Sequence, residues 1–199
     1  MGWNEEVKKT LNHVGTNVFI GENVVFLNPK QVILGDHVRI DPFTIVSGNL
    51  LVGSYVQIMS HVVLSCSKAP IILEDWTFIG YHSRIFTASE DYSGNFGPVN
   101  NYWSKYNKVD IRQVHIKKHG GIASNCTIMP GVTLPEGCCI GADSFVYKNE
   151  YHYFNDKLPF EEYSVYVGKP LRLLKNRNKA EVIKIASQVK LESLNNAPK

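Results

Sequence analysis

Two adjacent carboxylates, Glu90 and Asp91, stand in the stretch F-T-A-S-E-D-Y-S-G that runs from Phe86 to Gly94. Neighbouring carboxylates repel each other's charge, and burial raises their pKa further, so such a pair can exchange a proton near neutral pH. Three roles are open to them. Glu90, with Asp91, acts as a general base; a histidine is the base and the carboxylate orients it; or the carboxylates anchor the chain, with Asp91 capping the turn at Y-S-G. His82 leads the histidines because it lies one strand earlier, and His61 has the same offset in its own segment. His115 and His119 are further candidates. Just downstream, Tyr92, Asn95, Asn100, Tyr102, Trp103 and Tyr106 fall in an aromatic and amide-rich segment. Aromatic faces stack on sugar rings and asparagine reads hydroxyls, which suits a carbohydrate or nucleotide-sugar. The same rings serve equally to pack a loop onto the fold.

The elements that position these groups follow a repeat. Apolar residues recur every six positions: Val14, Ile20, Phe26 and Val32, then after a two-residue slip Leu34, Ile40, Val46, Val52, Ile58 and Leu64. A three-residue insertion precedes Leu73, Ile79 and Ile85, and beyond the carboxylates come Ile116, Ile122, Ile128, Leu134, Ile140 and Val146. A helix misaligns such markers, since six residues advance it about 600°. A strand–turn unit aligns them. Three units per coil make a triangular prism in which Val14, Leu34, Val52, Leu73, Ile116 and Leu134 each open a coil. Residues four places after a marker, Val18 and Val56 among them, are small or apolar and share its face. The residue after each marker is often glycine (Gly15, Gly21, Gly35, Gly53, Gly80, Gly141), which signals a turn that needs positive φ.

The periodicity gives residues 1–13 as an N-terminal segment, 14–150 as a parallel β-helix of about six coils with a protruding loop at about 90–114, and 151–199 as a C-terminal extension. Tyr147 to Tyr166 reads as aromatic-rich loop. Asn178 to Ser193, with Val182, Ile185, Ala186 and Val189, reads as an amphipathic helix that packs on the prism or on a neighbouring subunit.

Composition narrows the function. The 199 residues carry a formal net charge of +3 and no long run of like charge, which argues against nucleic acid as a partner. No apolar stretch matches a membrane span and the N-terminus lacks a signal core, so the expected location is the cytoplasm. Four cysteines form no metal knuckle or disulfide framework and read as reduced core thiols.

The stretches I-A-S-N-C-T-I-M-P-G-V-T-L-P-E-G-C-C-I-G-A-D-S-F-V-Y-K-N and V-Y-V-G-K-P-L-R-L-L carry a family resemblance. Together they resemble the C-terminal signature of the hexapeptide-repeat acyltransferases over residues 14–177. Within that family the resemblance is to sugar and surface-polysaccharide (lipopolysaccharide) O-acetyltransferases related to the maltose and galactoside enzymes, whose S-x-D-D-Y-S-G segment is similar to the stretch around Glu90. It implies a left-handed β-helix, a homotrimer, acetyl-CoA as co-substrate without a metal, and transfer of the acetyl group to a sugar hydroxyl. An alternative acceptor is the amine of a nucleotide-linked aminosugar. Residue by residue, it places CoA binding on Ser124, Ala142, Tyr147, Lys148 and Arg172. Small side chains at Ser124 and Ala142 leave a groove for the pantetheine arm, while Lys148 and Arg172 meet phosphates.

One departure from the family stands out. Its usual catalytic histidine falls on Glu90, and the residue that orients it falls in S-C-S (Ser65 to Ser67). Acyl transfer needs a base and an oxyanion donor; the latter is expected from a backbone amide near Gly120, Gly121 or Ile122. Two readings of other classes compete. The chain is superficially similar to a γ-type carbonic anhydrase, with zinc on His82, His115 and His119, or it is a non-catalytic trimeric scaffold.

Overall fold

In the computed structural model, described for residues 4–90, 106, 108–147 and 160–195, the markers line the inside of a left-handed parallel β-helix. The first face stacks β1 (His13–Val14), β4 (Val32–Leu34), β7 (Leu50–Val52), β10 (Ile71–Leu73), β15 (Val114–Ile116) and β18 (Thr133–Leu134). The second stacks β2 (Phe19–Ile20), β5 (Arg39–Ile40), β8 (Gln57–Ile58), β11 (Phe78–Ile79), β16 (Gly121–Ile122) and β19 (Cys139–Ile140). The third stacks β3 (Val25–Phe26), β6 (Ile45–Val46), β9 (Val63–Ser65), β12 (Arg84–Phe86), β17 (Thr127–Ile128) and β20 (Phe145–Val146). Register pairs marker with marker, Leu34 with Val52, Leu73 with Ile116 and Ile116 with Leu134, so the six coils open where the periodicity puts them.

The cause is burial. Leu34, Ile40, Ile58, Leu64, Ile79, Ile85, Ile116, Ile122 and Ile128 are fully buried in columns down the prism, as are Val18, Val38 and Val62 four places on. Each such side chain contributes roughly 1.5–3 kcal/mol relative to exposure. Parallel ladders leave no residue of the wall free to slip, because a one-residue shift turns the apolar set outward.

The glycines act differently from the expectation. Positive φ falls three residues after a marker, at Asn17, Asn23, His37, Phe43, Tyr55, His61, Trp76, His82, His119, Asn125 and Asp143. A Cβ on Gly80 would lie 2.5 Å from the backbone of Ala123 and Ser124 in the next coil. Glycine there serves close approach between coils, and the left-handed corner is formed two residues later.

Two elements depart from the coils. After β12 the chain leaves as β13 (Ala88–Glu90), which pairs antiparallel with β14 (Val109–Ile111) as the stem of the protruding loop. Thr87 sets that exit: it is fully buried, its N–H and its hydroxyl both donate to Ser65 O at 3.0 Å, and its carbonyl accepts Arg112 N–H at 3.0 Å. Beyond residue 150, where the sequence reads as loop up to Tyr166, Ser164–Val167 forms β21. It adds a parallel strand over β19, with buried Tyr166 in the marker column above Ile140. β22 (Arg172–Asn176) then pairs antiparallel with β21.

A short helix α1 (Glu5–Thr10) precedes the first coil, and α2 (Lys179–Asn195) ends the described chain. Of α2 only Ala186 is buried, and Ser193 Oγ lies 2.7 Å from Tyr55 Oη at a corner of the prism. Ile183, Ile185, Val189, Leu191 and Leu194 are exposed. No described helix is long and apolar enough to cross a membrane.

Candidate active site

The left-handed corners set side chains of successive coils one above another. At the corner between the second and third faces, Phe43, His61 and His82 form a column. Phe43 and His61 stack at 5.1 Å, and His61 and His82 at 4.8 Å with their planes within 6°. The equal offset of the two histidines therefore does bring them together. His82 is exposed there, and among the described residues no hydrogen bond joins it to Glu90.

Glu90 closes β13, at the base of the protruding loop, opposite Val109. It is part-buried, and its Oε2 is enclosed without a hydrogen-bond partner among the described residues. An enclosed carboxylate oxygen with nothing to accept from carries a desolvation penalty, which a hydrogen-bond donor brought by another molecule would relieve. Asp91, Tyr92, Asn95, Asn100, Tyr102 and Trp103 lie outside the described residues, as does Lys148; Tyr106 is described and exposed.

One position before the left-handed corner residues of this edge runs a second column: Glu22, Pro42, Ser60, Tyr81, Ser124 and Ala142. Asp143 N–H donates to Ser124 O at 3.1 Å, which fixes Ala142 one coil above Ser124, as their spacing of eighteen requires. Above Ala142 comes the turn after β21. Val167 packs against Gly141, and Gly168, at φ 104°, donates its N–H to the buried Ser144 Oγ at 2.9 Å. Ser144 in turn donates to Gly141 O at 2.6 Å, so one buried hydroxyl ties the V-G-K-P turn to the corner below it. Arg172 opens β22 opposite Val167 and is exposed, near the exposed Lys169. Ser124, Ala142 and Arg172 thus share one edge of the prism. Tyr147 follows β20, and its ring meets that of Phe145 at 5.7 Å.

The remaining candidates separate. His115 faces outward on β15, its Nε2 2.7 Å from Glu74 Oε1. His119 stands at the other corner in a second aromatic column, Tyr55 on Trp76 at 4.1 Å, then His119 at 6.5 Å and Tyr163 beyond. Burial holds its imidazole below the usual range. His82 and His119 occupy different corners, which is not the convergence that zinc needs. Among the described residues no cluster of three such ligands occurs.

The oxyanion donor expected near Gly120 needs correction. Gly120 N–H donates to Lys117 O and Gly121 N–H to Cys138 O, both at 3.1 Å, so both are engaged within the coils. All four cysteines are free and buried, and burial pushes each thiol up, Cys138 to about 12. Thr87 and Tyr81 escaped notice in the sequence. The signal for both was present, since Thr87 ends the last coil before the loop and Tyr81 lies one coil below Ser124.

No family model matches the chain. A dTDP-4-amino-4,6-dideoxy-D-glucose acyltransferase of Escherichia coli is 30% identical over 169 residues, which cover 83% of this chain and 82% of that protein. The crystal structure of AntD, an N-acyltransferase from Bacillus cereus, in complex with dTDP and 3-hydroxybutyryl-CoA, superposes with a TM-score of 0.82 at 30% identity and 98% coverage of both chains. A maltose O-acetyltransferase from Clostridium difficile shares the fold alone, at 16% identity and a TM-score of 0.54, with 88% of this chain and 74% of that one covered. The resemblance read from the sequence pointed first toward that branch; the similarity is greater to proteins named for amine acceptors. With its six stacked coils, its protruding ribbon and a relative at this identity over most of both lengths, the chain belongs to the hexapeptide-repeat sugar acyltransferases.

Proposed function

We propose that the protein transfers an acyl group from acyl-CoA to the amine of a dTDP-linked aminosugar. The observation that carries this reading is the 30% identity over 83% of the chain to an acyltransferase named for dTDP-4-amino-4,6-dideoxy-D-glucose. Sequence considerations alone put a sugar hydroxyl first and the aminosugar second; the relatives reverse that order.

In this reading the pantetheine arm lies along the edge formed by Ser124 and Ala142, where short side chains leave backbone groups within reach of its amides. Arg172, with Lys148, meets the phosphates. The acceptor enters at the protruding loop, where Tyr92, Asn95, Asn100, Tyr102 and Trp103 contact sugar and nucleotide. The amine nitrogen attacks the thioester carbonyl carbon, the C–S bond breaks, and CoA leaves as the thiolate, which takes up a proton from water. Glu90, supported by Asp91, takes the proton that the amine must lose. The enclosed and unpartnered Glu90 Oε2 supports this role. A carboxylate also suits an acceptor that arrives as an ammonium, because the two attract before the proton moves. His82 is the second candidate base; its exposed place in a stack of rings favours Glu90 over it. The working unit is a homotrimer whose site lies between protomers. The exposed Val25, Leu27, Phe43 and Ile45 support it, since they form an apolar strip on the lower coils that a second copy would cover.

The test is release of free thiol from acetyl-CoA and 3-hydroxybutyryl-CoA, with dTDP-4-amino-4,6-dideoxyglucose or maltose as acceptor. Turnover with the aminosugar nucleotide and an amide in the product are expected. Equal or faster turnover with maltose would return the reading to O-acetylation.

A further inference from the structure

Resting on the groove assigned above, we infer that Tyr81 is the stop at the foot of that groove and sets the length of acyl chain the enzyme accepts. The column before the left-handed corner reads Glu22, Pro42, Ser60, Tyr81, Ser124 and Ala142 from lower coil to upper. Tyr81 is the sole aromatic side chain among these, 46% exposed, with short side chains in the coils on either side. Its place directly beneath Ser124 is fixed by two contacts. Asn125 N–H donates to Tyr81 O at 2.7 Å, and Gly80 lets the backbone of the two coils close up at Ala123 and Ser124.

The direction of the donor follows from charge. Lys169 and Arg172, both exposed, lie at the upper end of this edge, above Ala142. Phosphates held there send the pantetheine arm downward, past Ala142 and then Ser124, at about 4.8 Å per coil. Its thioester end thus arrives at the coil that carries Tyr81. That same coil is the one the chain leaves at Thr87 to reach Glu90. The Tyr81 corner and the Glu90 ribbon thus belong to one coil, at opposite ends of β12, and the part of an acyl chain that extends beyond the carbonyl along this edge runs into the phenol ring. A bulky planar side chain standing out of a row of small ones caps the groove, and a methylene forced against it is rejected by the usual margin of an apolar pocket.

The test is calorimetric titration of the full chain with CoA, acetyl-CoA, butyryl-CoA and hexanoyl-CoA, for the wild type, Tyr81→Ser and Tyr81→Phe. Melting curves on the same samples establish that each variant is folded. The wild type is expected to bind acetyl-CoA more tightly than hexanoyl-CoA by about tenfold or more. Tyr81→Ser should bring that ratio to near unity, Tyr81→Phe should preserve it, and CoA itself should bind all three alike. A wild type without chain-length preference, or a preference that Tyr81→Ser leaves in place, overturns the role of Tyr81 while the groove stands. A wild type that binds no CoA overturns the groove, and this assignment with it.

Discussion

In the proposed reaction Glu90 acts through a single oxygen. Its Oε2 is enclosed without a partner among the described residues, and such a group is kept in a fold only when something else compensates it. In the proposed reaction a substrate ammonium or a transferred proton would do so during turnover. Glu90→Gln keeps size and shape but cannot accept a proton. It is expected to lower kcat by about 10²–10⁴-fold, with acetyl-CoA affinity in calorimetry unchanged; a Glu90→Gln enzyme at wild-type rate would move the base elsewhere, with Asp91 and His82 next to be tested. The thiols make an opposite case. With Cys138 pushed up to about 12 by burial and the other three raised as well, all four remain protonated at pH 8. Iodoacetamide should leave the native protein unlabelled over an hour and modify four cysteines once it is unfolded in guanidinium.

The elements show why the ribbon that carries Glu90 leaves the prism where it does. A β-helix coil can be interrupted only at a corner or at the end of a strand, because every strand within a face is bonded on both sides. The chain departs after β12 and returns at β15. Thr87 manages that departure, with two donors on Ser65 O and its carbonyl on Arg112. Thr87→Val preserves shape and removes the hydroxyl at a fully buried position. The expected cost is about 1–2 kcal/mol in chemical denaturation, and Thr87→Ser should restore most of it. Gly80 is an equally local test of coil spacing. A Cβ there meets the Ala123 and Ser124 backbone at 2.5 Å, so Gly80→Ala is expected to destabilise by about 1–3 kcal/mol even though the backbone angle suits alanine. If φ rather than space were the constraint, Asn would rescue Gly80 better than Ala, and the melting temperatures of the two variants would show it.

The whole molecule is a prism with one finished interior and an unfinished exterior. Its core columns are buried from coil to coil, yet Val25, Leu27, Phe43 and Ile45 on the lower coils, and Ile185, Leu191 and Leu194 on α2, meet solvent in a single chain. Sedimentation equilibrium should return a mass about three times 22.4 kDa. Val25→Asp with Ile45→Asp should shift it toward the single chain and remove turnover while far-UV circular dichroism stays native. A monomeric wild type with full activity would place the whole site within one protomer.

The six-residue beat determined the coils, their order and the residues that face inward, because stacking identical coils demands an apolar side chain at the same place in every turn. It also determined the column of His61 and His82, each three places after its marker across a three-residue insertion, and the vertical pairing of Ser124 with Ala142, one repeat of eighteen apart. What it could not determine lies where the repeat supplies one instance or none. β21 is a lone strand whose marker is Tyr166 rather than an aliphatic residue, with no successor six places on. Glycine after a marker has one sequence signature and two physical uses, close approach or positive φ, and only the coordinates of the neighbouring coil choose between them. The availability of the Gly120 and Gly121 amides was likewise decided by the fold, since Gly120 turns back onto Lys117 O of its own coil and Gly121 meets Cys138 O of the next. So was the isolation of Glu90 Oε2. A repeat dictates which residues are neighbours; which of their polar atoms are left unsatisfied is decided only when the coils close on one another.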